Sequence, residues 1–137
     1  MTIRKAMLAV LLSLLATSAF ARSAVPLVEF PDQGLTAPAG KTLTDGDVRE
    51  AIVRAAKSLG WTLSPEGERK FVATLVVRNK HTIGVNVAYT AEKVSVTFNN
   101  SINMKYEVTD GVAMIHPYYN DWTRKLVEAI RFEAAKG

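Results

Sequence analysis

His81 and His116 are the only imidazoles in the chain. A metal site would need both rings plus carboxylates, yet neither histidine lies in an H-x-x-x-H or H-x-x-E pattern. Ser101 and His116 could be drawn as a nucleophile and its base, but no G-x-S-x-G elbow or glycine-rich phosphate loop supplies the context that such a pair needs. Glu92, Glu107 and Asp110, the carboxylates near the predicted strand ends, all sit in turn-like surroundings and form no acid-base pair. The chain contains no Cys, which removes thiolate nucleophiles, zinc ribbons, iron-sulfur clusters and lipid-modified cysteines. These residues point to no catalytic centre, metal or cofactor, and leave binding as the chemistry to look for.

Two groups of side chains are candidates for that binding surface. Arg78 and His81 flank the tip of a predicted hairpin. His116, Asn120 and Arg124 follow one another in steps of four, which places them on one helix face beside an apolar stripe. Ser101, Asn103 and Tyr106 form a candidate structural cluster, to which Asn120 is expected to bond across. His116 precedes Pro117 and is also placed to act as a weak helix N-cap. Tyr119 and Trp122 lie on the apolar stripe itself and read as core anchors.

The elements that must position these residues follow from local pattern. Thr44-Asp45-Gly46-Asp47 offers a hydroxyl cap with an acidic residue three positions later, and Gly60 is a C-terminal stop. Between them Val48, Ile52, Ala55, Ala56 and Leu59 recur at helical spacing. Trp61 to Leu63 is a short strand candidate, followed by three longer ones over 69–78, 82–89 and 94–99. With Asn79-Lys80 as a two-residue loop, Arg78 faces His81, and Val72, Thr74 and Val76 share a face with Ile83, Val85 and Val87. With Thr90 to Lys93 as the next loop, Tyr89, Val87 and Val85 face Val94, Val96 and Phe98. Residues 101–107 prolong the last strand, Thr109-Asp110-Gly111 marks a turn, and Pro117 opens a long final helix. The expected fold is α+β, an antiparallel four-stranded meander with two helices packed on one face, in the order α-β-β-β-β-α.

The pieces Val48-Arg49-Glu50-Ala51-Ile52, Gly60-Trp61, the strand ending in Arg78, Ser101-Ile102-Asn103-Met104-Lys105-Tyr106 and Ile115-His116-Pro117-Tyr118-Tyr119-Asn120-Asp121-Trp122 resemble a family of small exported proteins and lipoproteins of Gram-negative bacteria. S-x-N-x-x-Y and I-H-x-x-Y-N-x-W are the most specific of these, and the resemblance spans roughly residues 44 to 132. It implies export and a small domain, and supplies no reaction. Unlike the lipoprotein members, this chain has no Cys at the predicted cleavage site, so the resemblance does not extend to a lipid anchor.

The N-terminus is consistent with export. Arg4 and Lys5 precede the apolar run Ala6 to Ala16, and Ala19-Phe20-Ala21 fits an A-x-A cleavage rule, so residues 1–21 read as a signal peptide. The apolar run is shorter than the roughly 20 residues a membrane span needs, so no stable membrane anchor is expected. Residues 22–43, with three prolines and two glycines, form an extended lead-in that could lay an arm or edge strand on the domain. Residues 44–137 make a single α+β domain, as 137 residues with 48% hydrophobic content suggest. Cleavage removes two of the 17 basic residues and none of the 13 acidic ones, so the formal +4 falls to about +2. The remaining Lys and Arg are scattered, which argues against nucleic acid as a partner. The expectation is a periplasmic, non-enzymatic binding or accessory module whose partner is another envelope component, with an inhibitor of a hostile enzyme or a small hydrolase as alternatives.

Overall fold

The computed structural model describes residues 23–137; the expected signal peptide and its cleavage point lie outside the described residues. Ten elements follow in order: β1 (Val25–Pro26), β2 (Phe30–Gly34), α1 (Asp45–Leu59), β3 (Thr62–Pro65), β4 (Lys70–Val77), β5 (His81–Tyr89), β6 (Lys93–Ile102), β7 (Glu107–Thr109), β8 (Val112–Ile115) and α2 (Pro117–Lys136). Among the described residues the fold is α+β, with two helices and two antiparallel sheets.

Local chemistry sets the helix ends. The Thr44 hydroxyl accepts from Asp47 N at 3.1 Å while the Asp47 carboxylate accepts from Thr44 N at 2.9 Å, a reciprocal capping box. These hydrogen bonds hold the Asp47 carboxyl below its ordinary pKa. Gly60 closes α1 at φ 81°, the left-handed conformation that a residue without Cβ adopts at no steric cost. Pro117 sits at the start of α2, where its missing N–H is no loss, and His116 Nδ1 accepts from Tyr118 N at 3.1 Å as the cap. The two helices are joined by Arg54, whose Nε donates to Glu133 Oε2 at 3.0 Å.

The expected four-stranded meander is incomplete. The larger sheet has five strands in the order β2-β6-β5-β4-β3, and a second sheet of three runs β1-β8-β7. The predicted continuation of β6 through residue 107 fails because Asn103 and Lys105 take left-handed φ values of 59° and 55°. They turn the chain into the β7–β8 hairpin, whose tip Asp110-Gly111 is left-handed at both positions, as a twisted two-residue hairpin requires.

The β5–β6 register is as expected, with Tyr89 opposite Val94, Val87 opposite Val96 and Val85 opposite Phe98. The β4–β5 register is not. The loop has three residues, Arg78-Asn79-Lys80, so Val77 rather than Arg78 faces His81, and Lys80 N donates to Val77 O at 3.1 Å. A one-residue slip moves every side chain to the opposite face. Phe71, Ala73 and Leu75 therefore join Ile83, Val85 and Val87 on the core side, while Val76 is 55% exposed. The physical preference is for burying the Phe71 ring, whose apolar area exceeds that of Val72 or Thr74.

The lead-in is strapped down along its length. Phe30 pairs with Val96 in β2–β6, Leu27 N donates to Ala113 O at 2.9 Å, and Arg131 Nε donates to Gly34 O at 3.2 Å. Asn120 is the central tie, because its Oδ1 accepts from Val28 N at 2.9 Å and its Nδ2 donates to Pro26 O at 3.0 Å. The expected bond from Asn120 to the 101–106 segment is thus replaced by two bonds to the arm. Asn120→Ala should cost about 0.5–1.5 kcal/mol, the net worth of solvent-accessible hydrogen bonds whose freed partners water can satisfy. Denaturant titration checks this, and Asn120→Asp, which retains an acceptor for Val28 N but sets a carboxylate oxygen against Pro26 O, should not recover the loss.

Glu29, also on the arm, accepts from Phe98 N at 2.9 Å, yet its pKa lies above the ordinary 4.5 because burial outweighs that hydrogen bond. The folded state then holds this proton more tightly than the unfolded chain does. The Glu29 contribution to stability is therefore greatest below about pH 4.5 and falls as pH rises through the raised value. Glu29→Gln, which preserves an acceptor, should remove this part of the pH dependence in chemical denaturation between about pH 4 and pH 7.

Candidate binding cleft

Because the three-residue loop puts Val77 and His81 on the core side, both reach the end of the larger sheet next to the segment that leaves β6. His81 Nδ1 lies 2.8 Å from Asn103 O; a carbonyl can only accept, so Nδ1 carries a proton, and in the neutral ring Nε2 holds the lone pair. Asn103 Nδ2 donates back to Lys80 O at 3.3 Å, clamping the hairpin tip from the side. Between left-handed Asn103 and Lys105, Met104 turns inward and is 2% exposed. Its carbonyl accepts from His116 N at 2.8 Å, which brings the start of α2 against the same segment.

In His116 the tautomer is reversed. Nδ1 accepts from Tyr118 N, so in the neutral ring Nε2 bears the proton. Its ring centre lies 4.6 Å from that of Tyr118, which in turn lies 5.6 Å from Trp122. Together Val77, Arg78, His81, Met104, His116, Tyr118 and Trp122 line an open cleft of about 90 Å³. On the other side of Trp122 and Val77 a shallower depression is lined by Leu59, Trp61, Leu75 and Lys125 as well.

Three of the five expected surface residues, Arg78, His81 and His116, thus come together. The other two do not line the cleft. Asn120 ties down the arm, and Arg124 pairs with Asp121 at 3.2 Å and Glu128 at 3.7 Å. In the expected structural cluster Asn103 clamps the hairpin, Ser101 lies in β6 opposite Ile83, and Tyr106 stacks on Phe98 at 4.4 Å while remaining 43% exposed.

The sequence reading missed Met104, Tyr118 and the true position of Trp122. The buried stripe of α2 runs through Tyr119, Thr123, Leu126, Val127, Ile130 and Ala134, so it keeps the expected Tyr119 and leaves Trp122 off. Trp122 falls at its margin, only partly buried. The one signal was the i, i+4 spacing of Tyr118 and Trp122, which stacks two aromatics beside the stripe. Thr123 can be buried because its hydroxyl donates to Tyr119 O at 2.9 Å.

Other groups with displaced pKa values lie outside this lining. The Tyr119 hydroxyl is raised, first by burial and then by the Glu29 charge, and the Glu133 carboxyl is lowered chiefly by the Arg54 hydrogen bond. Among the described residues no three His, Asp or Glu side chains are grouped to hold a metal ion, and no helix is long and apolar enough to cross a membrane.

Fold and site together define, among the described residues, a small α+β domain with two helices and an apolar, cation-rimmed cleft at the end of its larger sheet. Compared with models of protein families, with curated proteins and with solved structures, the chain shows no significant match.

Proposed function

We propose that the protein is an exported, periplasmic, non-enzymatic binding module that docks another envelope protein through this cleft. The observation that carries the reading is the convergence of Arg78, His81 and His116 around one hole floored by Met104 and walled by Tyr118 and Trp122. At about 90 Å³ the hole is small beside the roughly 300–1,000 Å³ of sites that enclose metabolites. It suits one side chain of a partner, with the surrounding aromatic and basic residues supplying the kind of contacts that dominate protein interfaces. The N-terminal pattern and the resemblance to small exported proteins of Gram-negative bacteria support the location.

Capture from envelope extract, with the purified protein as bait, tests the docking site. Tyr118→Ala and Arg78→Ala should each reduce recovery of the captured protein at least tenfold, with stability changed by no more than about 0.5 kcal/mol for the exposed Arg78. Undiminished capture by both variants would overturn the reading. Intact-mass analysis of the exported product should show a chain starting at Arg22, and a product retaining residues 1–21 would refute cleavage there.

One observation favours the enzyme-inhibitor variant of this reading. The hairpin tip Arg78-Asn79-Lys80 is exposed yet held by Asn103, and a preorganised projecting loop loses little freedom on entering an active site.

A further inference from the structure

We infer that the occupant of the cleft is an acidic segment of a partner protein that inserts a single aliphatic side chain. This rests on the docking reading above and adds the chemistry of the partner. The first ground is charge. The two depressions on either side of Trp122 are lined by the cations Arg78 and Lys125 and by the imidazoles His81 and His116, with no carboxylate among their linings. The chain as a whole carries 13 acidic residues against 17 basic ones, so this segregation is local and not a reflection of bulk composition. Acidic side chains of α2 near this region are engaged elsewhere, Asp121 and Glu128 with Arg124. A carboxylate approaching the rim meets the Arg78 guanidinium, whose planar fork matches carboxylate geometry in two parallel hydrogen bonds.

The second ground is size. An enclosed apolar cavity of about 150 Å³ takes a benzene ring, and the space between Met104 and Trp122 is about 90 Å³. A Leu, Ile or Val side chain matches that measure more closely than an aromatic one. The floor and walls, Met104, Val77 and Trp122, offer an apolar lining to match.

Fluorescence anisotropy with a labelled Asp-Glu-Leu-Glu-Asp peptide tests the inference on the purified protein. Two control peptides are used, one with Ser in place of Leu and one with every acid replaced by its amide. The acidic Leu peptide should bind at least tenfold more tightly than either control. Arg78→Glu should weaken it at least tenfold, and added salt should weaken it further, as expected for a solvent-accessible charge contact. Equal affinity for the amide peptide, insensitivity to Arg78→Glu, or tighter binding to phosphatidylglycerol vesicles than to the peptide would each overturn the inference. The two levels separate cleanly. If Arg78→Ala and Tyr118→Ala abolish capture while the acidic peptide shows no preference, the partner chemistry is wrong and the docking site stands. If capture ignores both substitutions, the docking site itself is wrong.

Discussion

Tyr119→Ala should lower the stability of the folded chain by about 3–5 kcal/mol, the range for truncating a fully buried large aromatic. Tyr119 is 1% exposed, its ring meets Phe98 edge-on at 5.8 Å, and it lies among the largest buried side chains. Its removal leaves a cavity between α2 and the larger sheet that two rigid elements can close only in part. Trp122→Ala, three residues on, should cost only about 1–2 kcal/mol, since Trp122 is partly exposed and less of its area returns to water. This reverses the ranking that composition suggests, Trp being the larger residue. Urea titrations of both variants, with unchanged slopes to show that unfolding stays two-state, check the difference. Equal losses would mean that Trp122 belongs to the core and forms no wall of the cleft.

Met104→Ala should be nearly as damaging, at about 2–5 kcal/mol. Met104 is held between two left-handed residues and its carbonyl accepts from His116 N, so its backbone has little freedom to collapse into the vacated space. Met104→Leu, which conserves volume, should cost less than about 1.5 kcal/mol. Thermal and urea unfolding provide the measurement. A silent Met104→Ala would show that the segment between β6 and β7 is not fixed by its side chain, and that the cleft floor is not a rigid surface.

The contrast between these residues shows which parts of the protein are legible without tertiary structure. The limits of α1 were readable because each depends on groups within four residues: Thr44 with Asp47, and Gly60 with the last turn. The start of α2 at Pro117 and the tight turn at Asp110-Gly111 are equally local. Strict alternation in β5 and β6 was enough to set their register once the loop length was right. At β4 the same reasoning failed over a single residue, since both Arg78 and Asn79 can adopt left-handed φ and a loop of two or three residues satisfies the backbone. Burial of Phe71 on the side of Val87 settled the choice.

That one-residue difference is also what makes the cleft. It turns Val77 and His81 to the core side, where residues far along the chain can meet them. His81 and His116 are 35 positions apart, too distant for spacing to relate them, and only the inward turn of Met104 brings the segment holding His81 to the backbone of His116. The same holds for the arm, where Asn120 bonds Val28 across 92 positions. Residue types and short-range hydrogen bonding determined the class of fold, the helix limits, the β5–β6 pairing and the presence of candidate binding side chains. Tertiary structure decided the face of β4, the strand added by the arm, the demotion of Trp122 from core to cleft wall and the convergence of Arg78, His81 and His116. Those outcomes depend on competition among distant apolar groups for one buried face, and that competition is resolved only when the elements pack.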